Sequence, residues 1–315
     1  MLYGEFLRRR LRTKRTVPLV GVFDAFSASL AARQFDGIFL SGFGLTASRY
    51  ELPDTGFVAW PDVVDLTRRV RAICPESHIV VDIDDGFSDS DVAAHVARQL
   101  ELSGASGLIL EDQARPRKCG HFGGKTLLPL DVYLDRLNSI LEACSDIVVI
   151  ARTDASDESE IRKRVSAFSC TGADAILVDG QSSLESVSQL RELTDKPLAF
   201  NQILGGRSPA FGLSELQEVG ISLAILSTPL LFAAQAAMEK CLEQLSLNDM
   251  RLDAVETTVQ LSETQQILMA NWNTTRTATS HARLPSERSP REVTTGNYSD
   301  PAWSLENQSE KTHEF

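Results

Sequence analysis

The chain has 315 residues, 43% of them hydrophobic, enough to bury one large α/β core or two smaller ones. Its 31 basic and 43 acidic side chains leave a net charge of -12, which excludes the clustered cationic surface a nucleic-acid partner needs and points to small-molecule work. Five cysteines (Cys74, Cys119, Cys144, Cys170 and Cys241) without a CxxC pair exclude a disulfide framework or structural zinc site and place the chain in a reducing compartment.

The first segment, MLYGEFLRRRLRTKRTVP, lacks the apolar core of a secretory signal and reads as a solvated basic helix. No apolar run approaches the roughly 20 residues that span a bilayer, so the expected location is cytoplasmic, with no membrane partner. Eight short apolar runs follow, at 17–23, 37–40, 78–83, 106–110, 146–151, 174–178, 197–200 and 222–226. Continuous rather than alternating apolar runs suit parallel strands buried on both faces. Between them, 90–104 sets Val92, Val96 and Leu100 four apart, and 228–245 is patterned alike, so both predict helices. This alternation predicts a (β/α)8 TIM-type barrel, with a doubly wound sheet as the alternative.

The runs end in Asp24, Ser41, Asp82 with Asp84, Glu111 with Asp112, Arg152 with Asp154, Asp179, Asn201, and Ser227 with Thr228. In a barrel the C-terminal strand ends face one mouth, where these side chains would converge. Residues 249–270 predict one more helix, closing a 1–270 domain. Residues 271–315 are rich in Ser, Thr, Asn, Arg and Pro and predict a polar tail that is flexible or folds onto a neighbouring subunit.

Asp82 and Asp84 in VVDIDDGF lie two apart, so on an extended strand their carboxylates share a side, and Glu111 would add a third. Such oxygens suit a hard cation, Mg²⁺ or Mn²⁺, although acids at strand ends also cap the helices that follow. Cys119 stands among Arg117, Lys118 and His121, charges that would stabilise a thiolate for acid–base work; an ordinary loop cysteine is the alternative. Arg152 would grip a substrate carboxylate or pair with Asp154, and Ser41 with Gly42 would offer a hydroxyl and backbone N–H groups or simply turn the chain.

SGFG, LPDTG, VDIDDGF, LEDQ, KCGH, ARTDA and GADAILVDG stand in the order and spacing of the isocitrate lyase/phosphoenolpyruvate mutase superfamily. Over roughly residues 5–270 the chain most resembles its methylisocitrate-lyase-like branch. The resemblance implies a barrel with Mg²⁺ at its mouth and a homotetramer or homodimer that exchanges its last barrel helix. By position, Asp82 resembles the direct metal ligand, and Asp54, Asp84 and Glu111 resemble residues holding metal-bound waters. Ser41, Gly42 and Arg152 match positions that grip a keto-acid carboxylate, and Asn201 and Asp179 match substrate-side positions. Cys119 matches the thiol that exchanges a proton with a carbanion, with Lys118 and His121 beside it.

Relatives commonly have Glu at position 179, an acid at 204 where Leu204 stands, Thr at 208 where Ser208 stands, Thr or an apolar residue at 85 where Asp85 stands, and Lys at 117 where Arg117 stands. The implied activity is Mg²⁺-dependent retro-aldol cleavage of a 2-hydroxy di- or tricarboxylate, 2-methylisocitrate-like or alkylmalate-like, to an α-keto acid and a carboxylate. The alternatives are a phosphonomutase, an oxaloacetate hydrolase or decarboxylase, and a non-catalytic binding descendant. Three glycines and clustered cations predict that loop 114–125 stands open without an anionic ligand, holding Cys119 away from Asp82.

Overall fold

The computed structural model describes residues 2–278 except Lys14 and residues 257–258. Its elements are α1 (Tyr3–Leu11), β1 (Val17–Val22), α2 (Ala25–Ala31), β2 (Gly37–Leu40), α3 (Gly42–Tyr50), α4 (Trp60–Ile73) and β3 (His78–Asp82). There follow α5 (Ser90–Leu102), β4 (Gly107–Glu111), α6 (Leu130–Ala143), β5 (Val148–Thr153), α7 (Glu158–Ser169) and β6 (Ala175–Val178). The last are α8 (Leu184–Leu190), β7 (Leu198–Gln202), α9 (Leu213–Glu218), β8 (Ile221–Leu226), α10 (Pro229–Leu247) and α11 (Leu261–Ala278).

The eight strands pair in chain order, all parallel, and β1 meets β8 to close the barrel. The expected TIM-type fold is therefore the observed one. Both strand faces are buried, which is why the apolar runs do not alternate. Leu19, Phe39, Val80, Ile109, Ile150, Leu177 and Ile225 fill the interior, while neighbours such as Val20, Ile38, Ile79, Leu108 and Ile176 pack under the helices.

Contrary to the solvated helix expected at the start, α1 sends Leu7 and Leu11 into the interior cluster and plugs the barrel. Asp146, just before β5, fixes it by accepting from the N–H groups of Gly4 (2.7 Å) and Glu5 (2.9 Å), and Arg8 reaches Asp174 at 2.7 Å. Burying Leu7 completely contributes about 2 kcal/mol.

The extra helix also differs from expectation. It spans Leu261–Ala278, and among the described residues between 249 and 260 only a short 3₁₀ turn at Leu252–Ala254 forms. Leu247, Met250 and Leu252 are exposed, so no packing face organises the chain there. From residue 279 the expected polar tail lies outside the described residues.

Candidate active site

At the barrel mouth the strand ends divide into structural and site-facing groups. Asp24 and Ser41 cap α2 and α3, accepting from Ser27 N (2.7 Å) and Gly44 N (3.2 Å). Asp112 supports the wall instead, taking Arg164 Nη1 at 2.9 Å and the Asp154 N–H at 2.9 Å.

Asp82 and Asp84 do meet, but by a turn rather than by the strand pleat. β3 ends at Asp82, and Asp84 lies beyond it in the left-handed region (φ 54°), a conformation Asp tolerates better than most residues. The Asp84 N–H donates to Asp82 Oδ1 at 3.2 Å. Both carboxylates press on Gly42, where a Cβ would lie 3.2 Å from Asp82 Oδ2 and 3.2 Å from Asp84 Oδ1. Only a glycine lets the chain pass so close without crowding the acids.

Glu111, expected as a third cation ligand, is instead clasped by two arginines: Oε1 takes Arg117 Nε at 2.5 Å and Oε2 lies 3.2 Å from Arg152 Nη2. Arg117 also reaches Asp84 (2.9 Å) and Asp54 (3.5 Å), so its charge is spent on the acids and not on Cys119. Among the described residues no three His, Cys, Asp or Glu side chains are grouped to hold a metal together. Burial pushes the Glu111 carboxyl up to about 7 against the pull of both arginines, and it raises Asp82 and, further, Asp84.

Arg152 organises the opposite side. It grips Asp154 through Nε (2.9 Å) and Nη2 (3.1 Å), and Nη2 also reaches Asp179 at 2.8 Å. The shorter Asp179 still meets this arginine; burial opposes its charge, but Arg152 and then His121 hold the carboxyl below its usual range. Asn201 donates to Asp179 (3.0 Å) and accepts from Ser227 Oγ (2.6 Å). His121 Nδ1 accepts from the Arg207 N–H at 3.0 Å, and its Nε2 lies 3.6 Å from Asp179 Oδ1 and 3.4 Å from Asn201 Nδ2. Leu204, in contrast, is 77% exposed and lies off the cavity.

The loop predicted to stand open is folded over the mouth as a lid. Ala114 N bonds Thr126 O (2.8 Å) at its base, and the Gln113 side chain holds both the N–H and the carbonyl of Lys118 (3.0 and 2.8 Å). The acids attract Arg117 inward, which outweighs the expected repulsion among the lid cations. Lys125, which the sequence reading missed, bonds Asp154 Oδ1 at 2.9 Å and the Gly120 carbonyl. Its only sequence signal was its place at the end of a glycine-rich loop.

Lys118 is not at the site: its ammonium is exposed and donates to Gly124 O at 3.0 Å. Cys119 does reach the cavity, with Ser41, Asp54, Asp82, Gly120, His121, Arg152, Asp179, Asn201 and Ser227. Its expected thiolate does not follow, because burial pushes the thiol up to about 11 against the pull of Arg152, while Arg117 and Lys118 are engaged elsewhere. The space the cavity offers is about 20 Å³, room for a water molecule. A carboxylic acid of ten or more heavy atoms enters only when the lid moves.

Fold and mouth together define a (β/α)8-barrel enzyme whose carboxylates, arginines and single thiol converge on one small site. The sequence matches the phosphoenolpyruvate phosphomutase family over residues 7–246, and the chain belongs to the phosphoenolpyruvate mutase/isocitrate lyase superfamily. The 2-methylisocitrate lyase of Bacillus subtilis (strain 168) is 32% identical over 244 residues, 76% of this chain and 80% of that one. The crystal structure of 2,3-dimethylmalate lyase superposes with a TM-score of 0.83 at 27% identity, covering 89% of this chain and 96% of that chain. Oxaloacetate acetylhydrolase in complex with 3,3-difluorooxalacetate gives 0.81 at 27% identity, covering 88% and 96%. These relatives support the carbon–carbon lyase class expected from the sequence.

Proposed function

We propose that the protein is a Mg²⁺-dependent lyase that cleaves a 2-hydroxy di- or tricarboxylate, alkylmalate-like or 2-methylisocitrate-like, by retro-aldol chemistry. The observation that carries this reading is that Cys119, Asp82 and Arg152 line one cavity.

The donor set fits a hydrated Mg²⁺. Asp84 Oδ1 is buried without a hydrogen-bond partner, beside Asp82 Oδ2 at the bare face of Gly42. Mg²⁺ keeps several waters and needs only one or two carboxylates, so the lack of a three-ligand group among the described residues is no obstacle. Asp82 would hold it, with Asp54, Asp84 and Glu111 accepting from its waters. When bound, the ion would supply Lewis-acid stabilisation of charge on the substrate oxygen.

Arg152 lines the cavity, fixed in place by Asp154 and Asp179, and a substrate carboxylate would compete with these acids and Glu111 for its guanidinium. Ser41 and Gly42 begin α3, whose free N–H groups favour an anion nearby. As the substrate hydroxyl gives its proton to a carboxylate of the mouth and becomes the keto-acid carbonyl, the carbon–carbon bond breaks and its electron pair stays on the carbon next to the second carboxylate. A protonated Cys119 can give that carbon a proton, and burial keeps the thiol protonated at neutral pH. His121 and Asn201 orient the far end, where Asp179 departs from the family pattern and would select the substrate. The folded lid excludes water from the reacting carbon.

The α10 helix has no buried residue and exposes Met238 and Leu242, which supports a homo-oligomer, tetrameric or dimeric, in which this helix docks on a second copy. No helix among the described residues is long and apolar enough to cross a membrane. Five free cysteines support a cytoplasmic setting.

The test is incubation of the full chain with Mg²⁺ and a panel of alkylated malates, isocitrate and 2-methylisocitrate, with keto-acid release as the readout. Release that stops with EDTA and returns with Mg²⁺ is expected, and Cys119→Ser should lower turnover of the substrate found by at least about 10². Unchanged turnover in that variant would remove Cys119 from the proton transfer.

A further inference from the structure

Asp85 is the one carboxylate of VVDIDDGF that the site does not use: Asp82 lines the cavity and Asp84 meets Arg117 beside it, whereas Asp85 does neither. Its side chain is only 4% exposed, yet it is paired with a half-exposed cation on the lid. Arg115 donates Nε to Asp85 Oδ2 at 2.8 Å and Nη2 to Asp85 Oδ1 at 2.9 Å, a two-pronged, charge-assisted contact. We infer that Arg115 and Asp85 form a latch that holds the lid in register over the cavity, which makes Arg115 a positioning residue for Cys119.

The two halves of the pair differ in freedom. Asp85 is anchored to the barrel: Oδ1 also accepts from the Phe87 N–H (3.2 Å), and its carbonyl accepts from the buried Arg136 of α6, which holds the Ser88 carbonyl at 2.7 Å. Arg115 rides on the lid, one residue past the base at Ala114. Its guanidinium is backed by the segment carrying Asp54, since a Cβ on Gly56 would lie 3.3 Å from Nη1. Arg115 thus ties together the lid, the end of β3 and the Asp54 segment.

The other side-chain anchors that can carry charge, Arg117, Lys125 and His121, end in groups that line or adjoin the cavity, and an entering anion competes for them. The Arg115–Asp85 contact is the ion pair outside that competition, and it acts beside the neutral Gln113–Lys118 bonds. It must break when the lid lifts for a substrate too large for 20 Å³, and it re-forms without help from the substrate. It therefore fixes where Cys119 returns.

The test uses the full-length protein and iodoacetamide, with labelling at each cysteine followed by peptide mass spectrometry. In Arg115→Ala, Cys119 should label about tenfold faster while the exposed Cys170 labels at the wild-type rate and the melting temperature stays put. Arg115→Lys, which keeps the charge but loses the fork, should fall between. Asp85→Asn should accelerate Cys119 as well and add little in the Arg115→Ala background. Wild-type labelling of Cys119 in Arg115→Ala would overturn the latch, as would equal acceleration of Cys119 and Cys170, which means general loosening. The kinetic consequence, a lower kcat/KM, rests on the lyase reading above. The labelling does not, so a failure of that reading leaves the labelling result standing.

Discussion

Replacing Gly120 by alanine tests whether the folded lid is the working arrangement. The added Cβ would fall 1.8 Å from Asp179 Oδ2, 2.4 Å from Arg152 Nη2 and 2.7 Å from Asp154 Oδ1. Ordinary contact begins near 3.4 Å, so something must give by roughly 1.6 Å. The side chains it meets are poorly able to move, because Arg152 is fixed to Asp154 at 2.9 Å and to Asp179 at 2.8 Å, all buried. The lid yields instead, and Cys119, one residue away, moves with it. Gly120 does not have a positive φ, so the effect belongs to the Cβ and not to backbone strain. Misplacement of a reacting group by about 1 Å costs about 10²-fold, so kcat/KM should fall at least that far, about 2.7 kcal/mol. The assay is steady-state keto-acid release from a substrate the unaltered protein cleaves, with Cys119 labelling and thermal melting alongside. Labelling should quicken while melting barely changes, since the lid buries little core. A kcat/KM within threefold of the parent would refute the steric argument and the closed lid with it.

Arg152→Ala should cost more than about 3 kcal/mol in urea unfolding, because Asp154, Asp179 and Glu111 are left buried without their shared cation; Arg152→Lys should cost less. Burial, followed by the charges of Arg10 and Arg71, pushes the His78 imidazole down to about 4. The native state therefore stays neutral while the unfolded chain takes up a proton, and this contribution to stability is lost as pH falls from about 6.5 towards 4, on the order of 3 kcal/mol in all. Unfolding curves of His78→Gln should show a correspondingly shallower slope across that window. Leu7→Ala should remove about 2–5 kcal/mol by opening a cavity under the barrel, measured by the same unfolding method, although α1 is far from the mouth.

The sequence alone determined the barrel and the identity of most groups at its mouth. A strand buried on both faces must be apolar along its length, and parallel pairing requires a long crossover, so eight such runs separated by helical segments leave few arrangements. The barrel then makes the strand ends converge, which is how Asp82, Glu111, Arg152, Asp179 and Asn201 were found without any contact being known. What the tertiary structure decided is which charge meets which. In KCGH and its approach, Arg117 is two residues from Cys119, but its guanidinium serves Asp84 and Glu111 across the mouth. Lys118 turns to solvent, Lys125 turns in to Asp154, and Asp85 finds Arg115, 30 residues away. Electrostatic pairing follows distance in space, and burial sets the protonation of Cys119 more strongly than its neighbours in sequence do. Periodicity in a sequence records which faces are buried, but it holds no record of where a flexible charged side chain ends.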